Sequence, residues 1–96
     1  MSNMLNVDFS NYAETWTQII DDDDNVWQGW VQYVEYPDET ENGQWSLGFE
    51  HMLLNGKRTS VEVLDQEDIK SIQVMFKDYD AGYRNYQQHT VKPQNK

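Results

Sequence analysis

Val26–Tyr36 reads VWQGWVQYVEY, a run so dense in Val, Trp and Tyr and so poor in helix formers that it is a strand. Both of its faces are apolar. Val26, Trp30, Val34 and Tyr36 lie on one side, and Trp27, Val31 and Tyr33 lie around Gly29 on the other, so the usual inward-apolar, outward-polar alternation is missing. A strand of this kind needs cover on two faces, which the N-terminal segment, a second copy of the chain or a partner would supply.

Toward the C-terminus, Pro37–Gly43 (PDETENG) is a polar loop, and Gln44–Leu54 then alternates, with Trp45, Leu47, Phe49, His51 and Leu53 on the apolar face. Asn55-Gly56 is a hairpin signal. A two-residue loop would set that face against Arg58, Ser60 and Glu62. A three-residue loop with a left-handed Gly56 sets Leu47, Phe49 and His51 opposite Val63, Val61 and Thr59, so the apolar pattern selects the longer loop and a strand over 58–64. Asp65, with Glu67 and Asp68 behind it, reads as the cap of a helix over 66–86. Its stripe is Ile69, Ile72, Phe76, Tyr79, Tyr83 and Tyr86, which covers the Trp45 face of the sheet. Residues 88–96 are polar and read as a frayed tail.

Toward the N-terminus, Asp21–Asn25 is an acidic turn. Before it, Asn11 and Glu14 resemble a capping box, and Tyr12, Trp16, Ile19 and Ile20 have helical spacing, which would place a short helix over 11–20. The β-branched Thr15, Thr17, Ile19 and Ile20 point instead to a strand over 14–20, favoured because consecutive strands usually neighbour one another. Residues 1–9 read as frayed. The expected fold is one small α+β domain, an antiparallel sheet of three to four strands (14–20, 26–36, 44–54, 58–64) packed against one C-terminal helix.

Composition narrows the function classes. Of 17 Asp and Glu, eleven precede Lys57 and no Lys or Arg does, so the net charge of −10 splits as −11 before that residue and +1 from it onward. Charge of this sign repels phosphate backbones and anionic lipid, which argues against ordinary nucleic-acid and membrane-surface binding and favours a basic partner. A single-strand-binding sheet would use Trp27, Trp30, Tyr33 and Trp45 as stacking platforms, but it also needs bases along its groove. With no Cys, there is neither a disulfide framework nor a thiolate site, and the absence of a signal-like segment or long apolar run reads as cytoplasmic.

Catalytic and metal constellations are likewise missing. Asp21, Asp23 and Asn25 match the first three ligand positions of an EF-hand loop, but Val26 stands where its Gly and Gln32 where its bidentate Glu is needed. His51 and His89 have no second ligand at metal spacing, and His51 is expected to hydrogen-bond Thr59. Glu35 and Glu50 are candidate paired carboxylates across the sheet, which is weak evidence in so acidic a chain. No cofactor, metal or enzyme activity is expected.

The reading that follows is an inhibitor or adaptor that occupies the basic, nucleic-acid-binding surface of a protein partner as a nucleic-acid mimic. Asp21, Asp22, Asp23 and Asp24 form one acidic tip, and Asp38, Glu39 and Glu41 a second. Trp27, Trp30, Tyr33 and Glu35 supply the strand between them, with exposed rings as anchors. In size and charge, though not in any motif, the chain resembles as a class the anti-restriction and anti-CRISPR proteins of phages and mobile elements. The alternative is a structural domain forming a homodimer through the second apolar face of strand 26–36 or through the tyrosine seam of the helix.

Overall fold

A computed structural model describes residues 4–90 of the 96-residue chain. Its centre is an antiparallel sheet of six strands: β1 (Trp16–Ile20), β2 (Val26–Glu35), β3 (Ser46–Leu54), β4 (Lys57–Arg58), β5 (Val63–Asp65) and β6 (Ser71–Phe76). One helix follows, α1 (Tyr79–Thr90). The order across the sheet is β4-β3-β2-β1-β6, with β5 also pairing β3, so the fold is α+β with more strands than expected.

Residues 14–20 supply the strand of the two readings open for them. Trp16–Ile20 pairs β2 on one side and β6 on the other, and the helical element nearby is a short 3-10 turn over Phe9–Tyr12, begun by Asp8 Oδ1 accepting from Ser10 N at 3.0 Å. Tertiary pairing on both edges outweighs the local helical spacing. The segment expected to fray belongs to the core from Leu5 onward: Phe9 is fully buried, with its ring 5.8 Å from that of Trp45, and Leu5 and Val7 pack beside it. Residues 1–3 and the tail 91–96 lie outside the described residues.

The helix expected over 66–86 is corrected to three elements. Asp65 does start a helical turn, with Asp68 Oδ2 accepting from its N–H at 3.0 Å, but that turn is a 3-10 helix over Gln66–Asp68. Ser71–Phe76 then extends as β6, because Ile72 and Val74 are β-branched and β1 offers an edge on which the backbone pairs. The true helix begins at a second cap, Asp78, whose Oδ2 accepts from Ala81 N at 2.9 Å, and only Tyr79, Tyr83 and Tyr86 of the expected stripe lie on it.

The hairpin register is also corrected. Leu54 pairs Lys57 and Leu53 pairs Arg58 across a two-residue Asn55-Gly56 loop, both residues left-handed (φ 51° and 84°). That is the turn whose twist matches the strands. No charge is buried by it, because β3 does not keep one apolar face. A bulge at His51-Met52, opposite Gly29 and with His51 at φ 58°, reverses the alternation, so Leu47 and Phe49 share a face with Met52 while Leu53 turns to the other. Arg58 then lies over the Tyr86 ring at 5.8 Å with its head in solvent.

Both faces of β2 are covered from within the chain. One face buries Trp27 and Val31 with Ile19, Leu47 and Phe49, beneath Phe9 and the crossover that runs from β5 at one edge to β6 at the other. Ile69 of that crossover is 3% exposed. Gln66 is buried with its polar atoms satisfied, donating to Leu5 O at 2.8 Å and accepting from Trp45 N at 3.3 Å. The opposite face carries Trp16, Trp30 and Leu53 beneath Tyr83 and Tyr86, so α1 covers this side and not the Trp45 side. His51 meets Tyr79 OH at 3.1 Å instead of Thr59. No helix among the described residues is long and apolar enough to cross a membrane.

Candidate functional site

The two acidic turns stand at opposite ends of β2. In the β1–β2 turn the carboxylate of Asp21 is the organiser: Oδ1 accepts from Asp23 N and Asn25 N, both at 2.9 Å, and Oδ2 accepts from Asn25 Nδ2 at 3.2 Å and Trp27 Nε1 at 2.9 Å. Burial alone would raise the Asp21 carboxyl, but those donors outweigh it and hold it below its ordinary value. Asp24, left-handed at φ 64°, forms an ion pair with Lys70 at 2.8 Å. The Asp24 hydrogen bond and charge raise the Lys70 ammonium. Asp22 and Asp23 project into solvent and accept no side-chain hydrogen bond from the described residues.

The second turn is a 3-10 helix over Pro37–Glu39. Glu39 Oε1 closes back on Tyr36 N at 3.0 Å, and Thr40 Oγ1 ties the loop shut by accepting from Gln44 N at 3.1 Å and donating to Gln44 O at 2.7 Å. Asp38 and Glu41 are exposed. The turn is thus a fixed platform, with Asp38 and Glu41 outward and Glu39 folded back on Tyr36 N.

The expected aromatic anchors are placed differently. Trp27 is 8% exposed and spends its indole N–H on Asp21. Trp30 is half-buried under the helix, edge-on to Tyr79 at 4.8 Å. Both rings fill faces that the chain itself covers, so neither is an exposed anchor. Tyr33 is 44% exposed, lying over Gly48. Glu35 and Glu50 are not a pair: Glu35 stands opposite Ser46 at the end of β2, whereas Glu50 stands opposite Trp30 and accepts from Gln32 Nε2 at 3.1 Å.

Three acids outside the expected set complete the surface. An open cleft of about 400 Å³ lies between Asp21, Asp22 and Asp23 on one wall and Glu67 and Asp68 on the other, with Val61 and Val63 exposed along it. A second cleft, about 390 Å³, is lined by Glu35, Glu39, Glu41 and Asp65. Asp65 belongs to one and Glu67 to the other, and Glu67 accepts from Gln44 Nε2 at 3.2 Å, so the β5-to-crossover segment carries the acidic surface from turn to turn.

No protein-family model, curated protein or solved structure matches the chain.

Among the described residues no base lines either cleft, and Lys70–Asp24 is the one ion pair. No three His, Asp or Glu side chains there are grouped to share a metal ion. Asp65, Glu67 and Asp68 escaped the sequence because they read as the first turn of a long helix. The available signal was Ile72-Gln73-Val74, a short alternation hidden inside a helical spacing.

Proposed function

We propose that this chain is a non-enzymatic binding protein of the cytoplasm that occupies the basic surface of a nucleic-acid-binding protein, its carboxylates standing in for phosphates. One observation carries the reading: nine carboxylates line two neighbouring clefts with no Lys or Arg among them. Among the described residues the one ion pair to these turns is Lys70 on Asp24, and Arg58 lies instead over Tyr86. Unpaired charge of one sign on fixed turns raises association rates and sets register on an opposite surface. Inhibition, of the kind exerted by anti-restriction and anti-CRISPR proteins, is the natural consequence of occupying such a surface.

Self-association has less support, because the second face of β2 lies under the N-terminal segment and crossover, and the tyrosine seam packs inward on Trp16 and Trp30.

The test is capture from a lysate on the immobilised protein at low salt, followed by elution with either salt or duplex DNA. Retained proteins should be Lys- and Arg-rich, should leave as ionic strength screens the contacts, and should be displaced by DNA. Failure to retain any basic protein at low salt would overturn the reading, and retention that DNA does not disturb would remove the mimicry from it.

A further inference from the structure

We propose that β6 pairs with β6 of a second copy of this chain, antiparallel about a two-fold axis at Gln73, and joins the two sheets edge to edge. The pairing goes beyond the binding role proposed above and does not depend on it. It uses neither the second face of β2 nor the tyrosine seam.

The open edge is the first argument. Across the sheet β6 pairs β1 alone, and no described residue bonds to its outer side. A bare edge is a row of unpaired N–H and C=O groups, and proteins ordinarily blunt such edges by shortness, charge or proline. The opposite edge follows that rule, β4 having two residues and β5 three. β6 has six, Ser71 to Phe76, with neither a charge nor a proline among them. No acid falls between Asp68 and Asp78, so carboxylates within the strand do not oppose the approach of a second copy, even in a chain of net charge −10.

A row of glutamines selects the occupant. Gln18 of β1 stands in register with Gln28 of β2 on one side and Gln73 of β6 on the other, and accepts from Gln28 Nε2 at 2.9 Å. The row lies on the face that carries Trp16 and Trp30, and it runs out at the edge, where Gln73 is exposed and its amide has no partner among the described residues. An amide side chain both donates and accepts, so it is complementary to itself, and stacked strands use glutamine ladders in this way. A two-fold axis at Gln73 continues the row with the same three residues in reverse.

The register of the neighbours agrees. With Gln73 opposite Gln73 of the second copy, Ile72 meets Val74 and Ser71 meets Met75, each pair occurring twice. Directly opposed residues share a face, and Ile72 and Val74 do, since they stand opposite Ile19 and Thr17 of β1. A slip of one residue would set Gln73 against Ile72 or Val74 and cross the faces. A slip of two would keep the faces but set Gln73 against Ser71 or Met75 and break the row. The shift between Val74 and Phe76 in the pairing with β1 makes Met75 the last regular residue, so the paired stretch is symmetric about Gln73.

The experiment is sedimentation velocity on the full chain from about 10 µM to about 1 mM, at low and raised NaCl, with amide hydrogen exchange at both ends of that range. The parent should pass from monomer toward dimer as its concentration rises, more readily at raised salt because both copies are anionic. Amides of residues 71–75 should exchange more slowly in the dimer, and those of β4 should not change. Q73K sets two like charges face to face at the axis while lowering the net negative charge, and should weaken the dimer about fivefold or more. S60K makes the same change of charge at an exposed position between β4 and β5 and should dimerise as the parent does. A parent that stays monomeric at the highest concentration, or a dimer indifferent to Q73K, would overturn the inference. So would β6 amides equally protected at every concentration, because the chain's own ends would then be covering the edge.

Discussion

The indole ring of Trp16 lies against the backbone of Gly82, so that a β-carbon at residue 82 would stand 1.9 Å from Trp16 Cδ1. Trp16 is 3% exposed and its Nε1 donates to Tyr79 O at 2.9 Å, which leaves the ring nowhere to retreat. Replacing a glycine inside a helix by alanine ordinarily stabilises by up to about 1 kcal/mol. Here the sign reverses, and G82A should cost about 1–3 kcal/mol in urea unfolding by forcing apart β1 and α1. G48A is the control. Its β-carbon would meet the Tyr33 ring at 2.2 Å, but through the far end of a side chain that is 44% exposed and free to swing outward. It should therefore cost less than G82A, and equal losses would mean that close approach to Trp16 is not the reason for glycine at 82.

That contact also shows where the sequence stopped being legible. The strand over residues 26–36 could be read because its composition leaves no other choice, and the acidic turns because four consecutive Asp and PDETENG cannot be buried. What covers each face of β2 depends on a crossover from β5 to β6, and chain path is not a local property. Ile69, Ile72 and Phe76 happen to continue the spacing of Tyr79, Tyr83 and Tyr86, so a turn, a strand and a helix merged into one periodic stripe. The same merger hid Asp65, Glu67 and Asp68 as helix-start residues and left Trp27 and Trp30 without their covers. The hairpin register failed for a related reason: the positive φ of His51 reverses the face of β3, and no histidine announces that.

Asn55 joins the two turns at one end of the sheet. Its Oδ1 accepts from Val26 N at 2.8 Å, its Nδ2 donates to Asn25 Oδ1 at 2.9 Å, and its backbone N–H donates to Val26 O at 2.7 Å, all from a left-handed conformation. N55A should lose both the side-chain bonds and the conformational tolerance, at a cost of about 2–3 kcal/mol. N55G keeps the backbone preference and loses only the side chain, so its loss should fall to about half of that. Were the two variants equally stable, the left-handed position would be making no demand on residue 55.

Asp21 makes stability depend on pH. Its folded carboxyl titrates below the ordinary value of 3.8, so it favours folding above that value, and its contribution is lost as pH falls through the folded pKa. D21N retains an acceptor but no charge and should be less stable than the parent at pH 7 and pH 5 by the same margin. At lower pH the margin should shrink as the parent's carboxyl protonates. Urea unfolding at three pH values, with Trp27 emission as the local probe, reads the difference. A margin unchanged down to pH 2 would show that the charge on Asp21 is not what its donors require.

Salt should stabilise this fold, contrary to its effect on proteins held by surface ion pairs. With a net charge of −10 and a single ion pair among the described residues, the folded state brings carboxylates together in two clefts and repels itself. The unfolded chain spreads the same charges apart. Raising NaCl from 0.05 to 0.5 M shortens the screening length from roughly 14 Å to about 4 Å, so repulsion across a cleft should weaken and the urea midpoint should rise. D22N/D23N removes two charges from one wall and should raise the midpoint at low salt while flattening its dependence on salt. A parent protein indifferent to NaCl would mean that the carboxylates are too far apart or too well solvated to repel one another. The same would then hold for their concerted attraction of a cationic partner.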